Sequence, residues 1–274
     1  MFLGITYLLA LAIALALPHA GIAPLISIAV PLVAVALTIA ICGPHGQRRA
    51  VWAAVGFGRP AWRALILAVV GPVVLIGMSF GVAAAVGVVR FPALGWGLGT
   101  EAVNFLVSTA VFGVVFLGEE IGWRGFLLLR LAEVVSGRRA ALVTGACHAV
   151  FHLPLLLLTT TYQSAGSRWI VVPMVMVSLT MAGVWYGWLR AWSGSIWPVS
   201  VSHGGFNNAV DGFSGAAIAT SPAAMAYVTT ETGIVTMLLV IILAGYLLIR
   251  RAADFDNLRP TDLPTAPSPG ARVT

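Results

Sequence analysis

The sequence predicts an all-α protein: a polytopic transmembrane helical bundle of about eight spans, with both termini in the cytoplasm. Three observations predict it. Of the 274 residues, 59% are hydrophobic and only 9% are charged, against about 25% charged in a soluble globular domain. Apolar runs of around 20 residues, the length that crosses a bilayer core, recur along the whole chain. The few charges fall mostly between those runs, and the mean hydropathy is +0.99. A water-soluble enzyme is excluded. Nucleic acid is not expected as a partner despite the net charge of +6, because the basic residues sit where membrane-orientation signals belong.

The runs at 2–17, 22–42, 64–88, 102–129, 140–159, 169–190, 195–212 and 232–249 each read as a helix. No basic residue precedes the first apolar stretch, which favours a retained helix over a cleaved signal. Short connections and the lack of an evident repeat make residues 1–252 one transmembrane domain. The segment 253–274, with several prolines and scattered Asp, reads as a disordered cytoplasmic tail. All fifteen basic residues are arginine. With the abundant Ala, Gly, Val and Pro, this hints at a bacterial source, hence a multi-pass protein of the plasma membrane. Cys42 and Cys147 lie in apolar runs and read as small buried side chains. The GWGLG at 95–99 lacks a strand–turn–helix context and reads as a loop.

Arginine placement orients the chain. With the N-terminus inside, the cytoplasmic segments hold Arg48, Arg49, Arg59, Arg63, Arg130, Arg138, Arg139, Arg190, Arg250, Arg251, Arg259 and Arg272. Only Arg90 and Arg168 fall outside, and Arg124 lies within a span, a strong positive-inside asymmetry. The stretch 48–63 mixes Arg with Trp and suits the cytoplasmic interface. Trp185, Trp188, Trp192 and Trp197 read as an aromatic belt at that same boundary.

Against this apolar background a few polar residues stand out. Glu119 and Glu120 are adjacent inside an apolar stretch, and an ionisable side chain within a span costs several kcal/mol and marks a functional site by default. Arg124 follows Glu120 by four residues, on the same helical face, so Glu120 is expected to pair with Arg124 while Glu119 points elsewhere. His152 and His203 lie in two further spans, with His148 one turn before His152. Glu119 is eleven residues from Arg130, His152 thirteen from Arg139, and His203 thirteen from Arg190. At about 1.5 Å per residue each lies roughly 16–20 Å from the cytoplasmic boundary. Three helices thus bring ionisable groups to one depth. Asn207 shares a face with His203, and the glycines of SHGGFNN allow a backbone or substrate to come close. A carboxylate, imidazoles and an amide are the groups that activate water and stabilise an oxyanion.

These three segments, GEEIGWRGFLL (118–128), HAVFHLP (148–154) and SHGGFNN (202–208), resemble the CPBP family of intramembrane proteases, which includes CAAX prenyl endopeptidases and bacterial Abi-type proteins. The family pattern is Glu-Glu-xxx-Arg, then aromatic-xxx-His, then His-xxx-Asn on successive membrane helices. The resemblance covers about residues 100–210, and it implies catalytic positions at Glu119, Glu120, Arg124, His152, His203 and Asn207. The second motif departs from the pattern: His148 stands where the family has Phe or Trp. The resemblance gives His148 no role, and a filler of an aromatic position is the preferred reading.

What the resemblance implies is an intramembrane endopeptidase acting on a membrane-embedded or lipidated peptide substrate. Water would sit between Glu119 and His152, with Glu119 taking its proton, and His203 and Asn207 would hold the oxyanion. Glu120 and Arg124 would hold the helix and the local field. The residue types leave room for a Zn²⁺ ion on His152, His203 or Glu119, with His148 as a further donor, but the preferred mechanism does not require one. Two other functions stay open on the residues alone. One is a proton- or ion-coupled transporter, whose buried Glu and His would relay protons; the other is a non-catalytic membrane scaffold.

Overall fold

A computed structural model describes residues 1–42, 48–92, 98–160 and 165–258. Among the described residues the regular structure is helical apart from one two-residue ribbon. In chain order the helices are α1 (Phe2–Ala16), α2 (Ala23–Ile28), α3 (Val30–Cys42), α4 (Arg48–Ala54) and α5 (Trp62–Ala85). Then come α6 (Leu98–Val115), α7 (Leu117–Glu120), a π-helix (Ile121–Leu127) and α8 (Leu128–Ala132). They are followed by α9 (Gly137–Leu158), α10 (Arg168–Ser193), α11 (Trp197–Ala216), α12 (Pro222–Val228), α13 (Ile234–Arg250) and a 3₁₀ turn (Ala252–Leu258). Strands β1 (Val89–Arg90) and β2 (Ile218–Ala219) pair antiparallel, with Val89 opposite Ala219.

Each apolar run of the sequence lies on a helix. Among the described residues five helical segments can cross a membrane alone by length and composition: Ala23–Cys42, Trp62–Ala85, Gly99–Ala132, Gly137–Leu158 and Arg168–Ser193. A sixth forms if α13 is joined to the 3₁₀ turn, across a bend of 80°. Two of the eight expected runs fall outside that length and composition. The helix α1 has only 15 residues, and α11, at 20, carries His203, Asn207, Asn208 and Asp211 in place of apolar side chains. Leu8, Val107, Val111 and Ile242 on the outer faces are exposed, as suits helices whose surroundings are hydrocarbon.

The loops sort into two ends. At one end Ser195 Oγ donates to the Gly58 carbonyl at 2.8 Å and Arg190 Nη2 to the Ala54 carbonyl at 3.0 Å. At that end too, Trp188 Nε1 donates to Asp254 at 2.6 Å and Arg138 reaches the Leu248 carbonyl. The other end holds the β-ribbon, the Thr160 N–H on the Pro18 carbonyl at 2.8 Å, and Ser167 N on the Tyr227 hydroxyl at 2.6 Å. Arginines 59, 63, 130, 138, 139, 190, 250 and 251 lie in or beside the loops of the first end, and among the described residues only Arg90 and Arg168 lie at the second.

Three sequence expectations change. Trp185 and Trp188 are not belt residues: Trp188 is buried and bonded to Asp254, and Trp185 donates to Ser202 Oγ at 2.8 Å. Cys42 is exposed where a buried side chain was expected. The tail does not begin as free chain, because residues 252–258 form the 3₁₀ turn with Phe255 and Leu258 buried against α9 and α10; residues 259–274 lie outside the described residues, as do residues 95–97 of the GWGLG loop.

The densest crossing is that of α9 on α10. Ala141 and Gly145 on one helix meet Gly183 and Gly187 on the other, and a Cβ on Gly183 would stand 2.4 Å from the Gly145 Cα. Small residues one turn apart let membrane helices pack backbone to backbone, and here they draw the histidines of α9 against α10. A methyl on Gly145 would meet the Thr180 carbonyl oxygen at 2.3 Å. Gly145→Ala is therefore expected to destabilise the bundle by roughly 1–3 kcal/mol, measured as a lower unfolding midpoint in mixed detergent micelles. Gly81→Ala, with nothing within 4 Å, should not lower it.

Candidate active site

The candidate cluster forms where a long helical segment is interrupted. The 34-residue apolar segment Gly99–Ala132 is interrupted at Phe116, resumes as one short α-turn at Leu117–Glu120, and widens to π over Ile121–Leu127. Gly118, Gly122 and Gly125 weaken the helix here and admit close neighbours: a Cβ on Gly122 would stand 2.4 Å from Pro31, and one on Gly118 2.6 Å from the Ile28 carbonyl. Such π-turns concentrate at functional sites. Both glutamates and Arg124 sit on this irregular stretch. Across from it, Gly204 of α11 lies against the Phe112–Gly113 backbone, which brings His203 beside Phe116.

Glu120 and Arg124 are 0% exposed and Glu119 is 2%. Arg124 Nη1 donates to both Glu120 oxygens at 3.0 Å. His203 Nδ1 lies 2.7 Å from Glu120 Oε1, and because the ion-paired carboxylate accepts only, this nitrogen is the donor. His203 is stacked between Phe116 and Tyr186, with ring centroids at 4.2 and 5.4 Å, and the Tyr186 face also receives the Arg124 guanidinium at 4.9 Å. Glu119 turns the other way. Its Oε2 is 2.8 Å from His148 Nε2, and His152 Nε2 is 3.2 Å from that same nitrogen. One ligand atom each of Glu119, His148 and His152 lie within 4.8 Å of one another. The two halves meet at Arg124 Nη1, 3.3 Å from His148 Nδ1, and the His148 and His203 rings are 5.6 Å apart.

The structure thus brings Glu119, Glu120, Arg124, His152 and His203 into one cluster, buried except for the half-buried His152, with the pairing of Glu120 and Arg124 as expected from their spacing. Asn207 is less engaged: its Nδ2 donates to the His203 carbonyl of its own helix at 3.1 Å. The neighbouring Asn208 crosses to α6, donating to Thr109 Oγ1 at 2.8 Å and to the Phe105 carbonyl. His148 is the residue that sequence reading undervalued. It is buried at the centre of the cluster and stacked on Trp123, centroids 5.2 Å apart. Its signal was present in the four-residue spacing from His152, which puts both rings on one face.

Glu, His and His are residue types that hold zinc, and their ligand atoms here are close enough. The donor orientation does not suit the ion. A zinc-bound imidazole presents a lone pair to the metal and donates its other N–H to an acceptor, whereas the other nitrogen of His148 faces the donor-only guanidinium of Arg124.

Removing one partner of a fully buried ion pair strands the other charge, at a cost of about 3–5 kcal/mol. Arg124→Met should lower the unfolding midpoint in micelles accordingly. The double variant Arg124→Met/Glu120→Gln should recover a large part of that loss in the same measurement, since no unpaired ion remains.

Residues 100–209 match the family model described as Type II CAAX prenyl endopeptidase Rce1-like. No match was found among curated proteins. The matched segment contains every residue of the cluster, from Glu119 to Asn207, while α1–α5 and the helices after α11 lie beyond it. On that match, and on the three motifs that converge inside it, residues 100–209 of this multi-pass protein are similar to the Rce1-like group of CAAX endopeptidases.

Proposed function

We propose that the protein is an intramembrane endopeptidase that hydrolyses a peptide bond of a membrane-embedded or lipid-anchored substrate with water activated by Glu119 and His152. The observation that carries the reading is the Glu119–His148–His152 cluster, with ligand atoms within 4.8 Å of one another, buried in the segment that matches a protease family. One water bridges polar groups at such separations. The Glu119 carboxylate takes a proton from that water as its oxygen attacks the scissile carbonyl, and returns the proton to the departing amine. The oxyanion needs donors. With His203 Nδ1–H given to Glu120, Nε2 donates only when the ring carries both protons, and Glu120 balances that charge. The Asn207 amide would have to turn from the His203 carbonyl to add a second donor, each such donor contributing about 3–4 kcal/mol.

An apolar cavity of about 540 Å³ supports the substrate class. It is lined by Gly71, Met181, Trp185, Tyr186, Ser202 and Phe206, among others, so it shares Tyr186 with the stack on His203. Its volume and lining suit an apolar side chain or an acyl-type anchor, with no charge to satisfy.

Glu119→Gln keeps the shape of the side chain and removes the base. Cleavage of a membrane-peptide library by purified protein should fall by about 10²–10⁴-fold with the unfolding midpoint little changed. No cleavage by the unaltered protein, together with proton uptake into liposomes, would turn the reading towards transport. The arginine-bearing end is proposed to face the cytoplasm of a bacterial cell, by the positive-inside rule. In a background lacking Cys42 and Cys147, an impermeant maleimide added to intact cells should label Thr220→Cys and leave Ala61→Cys unlabelled. The reverse pattern would invert the topology.

A further inference from the structure

His148 occupies an aromatic position of the family pattern, and its packing is that of an aromatic residue: Trp123 lies against its face at 5.2 Å, and Phe151 is 6.5 Å away. Its two nitrogens add something an aromatic hydrocarbon lacks. A guanidinium has donors only and stays charged. One Arg124 Nη1 hydrogen is shared by the two Glu120 oxygens at 3.0 Å, and the other is directed to His148 Nδ1 at 3.3 Å. Nδ1 must then accept. The ring proton is left on Nε2, where Glu119 Oε2 lies 2.8 Å away as its acceptor. A doubly protonated His148 would set an N–H and a positive charge against Arg124. The same logic reaches His152: its Nε2, 3.2 Å from a nitrogen that carries hydrogen, presents its lone pair, so its own proton is on Nδ1.

From this chain of contacts we infer that His148 is a positioning residue: a neutral ring, fixed by Arg124 with its proton on Nε2, that holds one oxygen of Glu119 and leaves the other to the attacking water. The kinetic part of the inference rests on the peptidase reading above; the protonation pattern does not. It also assigns His148 a use incompatible with zinc, because the lone pair a metal needs is replaced by the N–H given to Glu119.

Two substitutions and one spectrum test it. His148→Phe keeps the stack on Trp123 and deletes both hydrogen bonds. His148→Gln places an amide N–H near the position of Nε2 but is a poor zinc ligand. For a positioning role, His148→Phe lowers kcat by on the order of 10²-fold with KM little changed, and His148→Gln restores a large part of that loss. Equal loss in both variants, with stoichiometric zinc in the unaltered protein that is absent from both, would overturn the inference in favour of a metal ligand. Unchanged kcat in His148→Phe would overturn it too. Independently of any activity or of how the variants fold, ¹⁵N-histidine spectra of the unaltered protein in micelles should show His148 with Nδ1 bare and Nε2 protonated. A proton on Nδ1 would sink the assignment even if cleavage is observed, and the expected pattern without cleavage would leave it standing while the peptidase reading failed.

Discussion

The ion pair of Glu120 and Arg124, wholly removed from solvent, is the constraint around which the core is arranged. Taking both ions out of water costs several kcal/mol for each, and their mutual attraction compensates only when the remaining hydrogen-bonding capacity is used. The surroundings use much of it. His203 gives Glu120 a second donor, Tyr186 offers its ring face to the guanidinium, and His148 accepts from Nη1. Nε and Nη2 of Arg124 find no partner among the described residues. Five helical segments are committed to this one pair: α7, the π-helix, α9, α10 and α11.

That commitment separates the roles of two adjacent and chemically identical side chains. Glu120 is held by a cation and an imidazole, which leaves it little capacity for chemistry. Glu119, one residue earlier, turns to the opposite side and meets two imidazoles. The two carboxylates diverge on the short α-turn Leu117–Glu120, and the π-helix begins directly after them and carries Arg124. The same irregularity shortens any depth counted at a uniform rise per residue, and the sequence offers no pattern that distinguishes a π-turn from an ordinary one.

Much of the fold was readable because lipid-facing helices are written in runs of apolar residues, and every such run here lies on a helix. The convergence of Glu119, His152 and His203 was readable for the complementary reason: a charge within an apolar run needs a partner, and the partners had to come from other helices at the same depth. What stayed hidden depended on tertiary contacts alone. Trp185 and Trp188 carry the composition of an interfacial belt, yet Ser202 and Asp254 draw their indole N–H groups inward. The polar sequence after Arg251 conceals the anchoring of Phe255 in the core. His148 was discounted because family likeness weighs a position by its usual occupant, and hydrogen bonds to Arg124 and Glu119 are invisible until the helices are assembled.

The crossing of α9 and α10 has a consequence for how mutations would be interpreted. A Cβ on Gly183 would press on Gly145 and would also come within 3.4 Å of Arg124 Nη2. Backbone proximity and placement of the guanidinium are therefore one geometric requirement. A screen scored by turnover alone would flag these glycines as though they handled substrate, although they only set the distance between two cylinders.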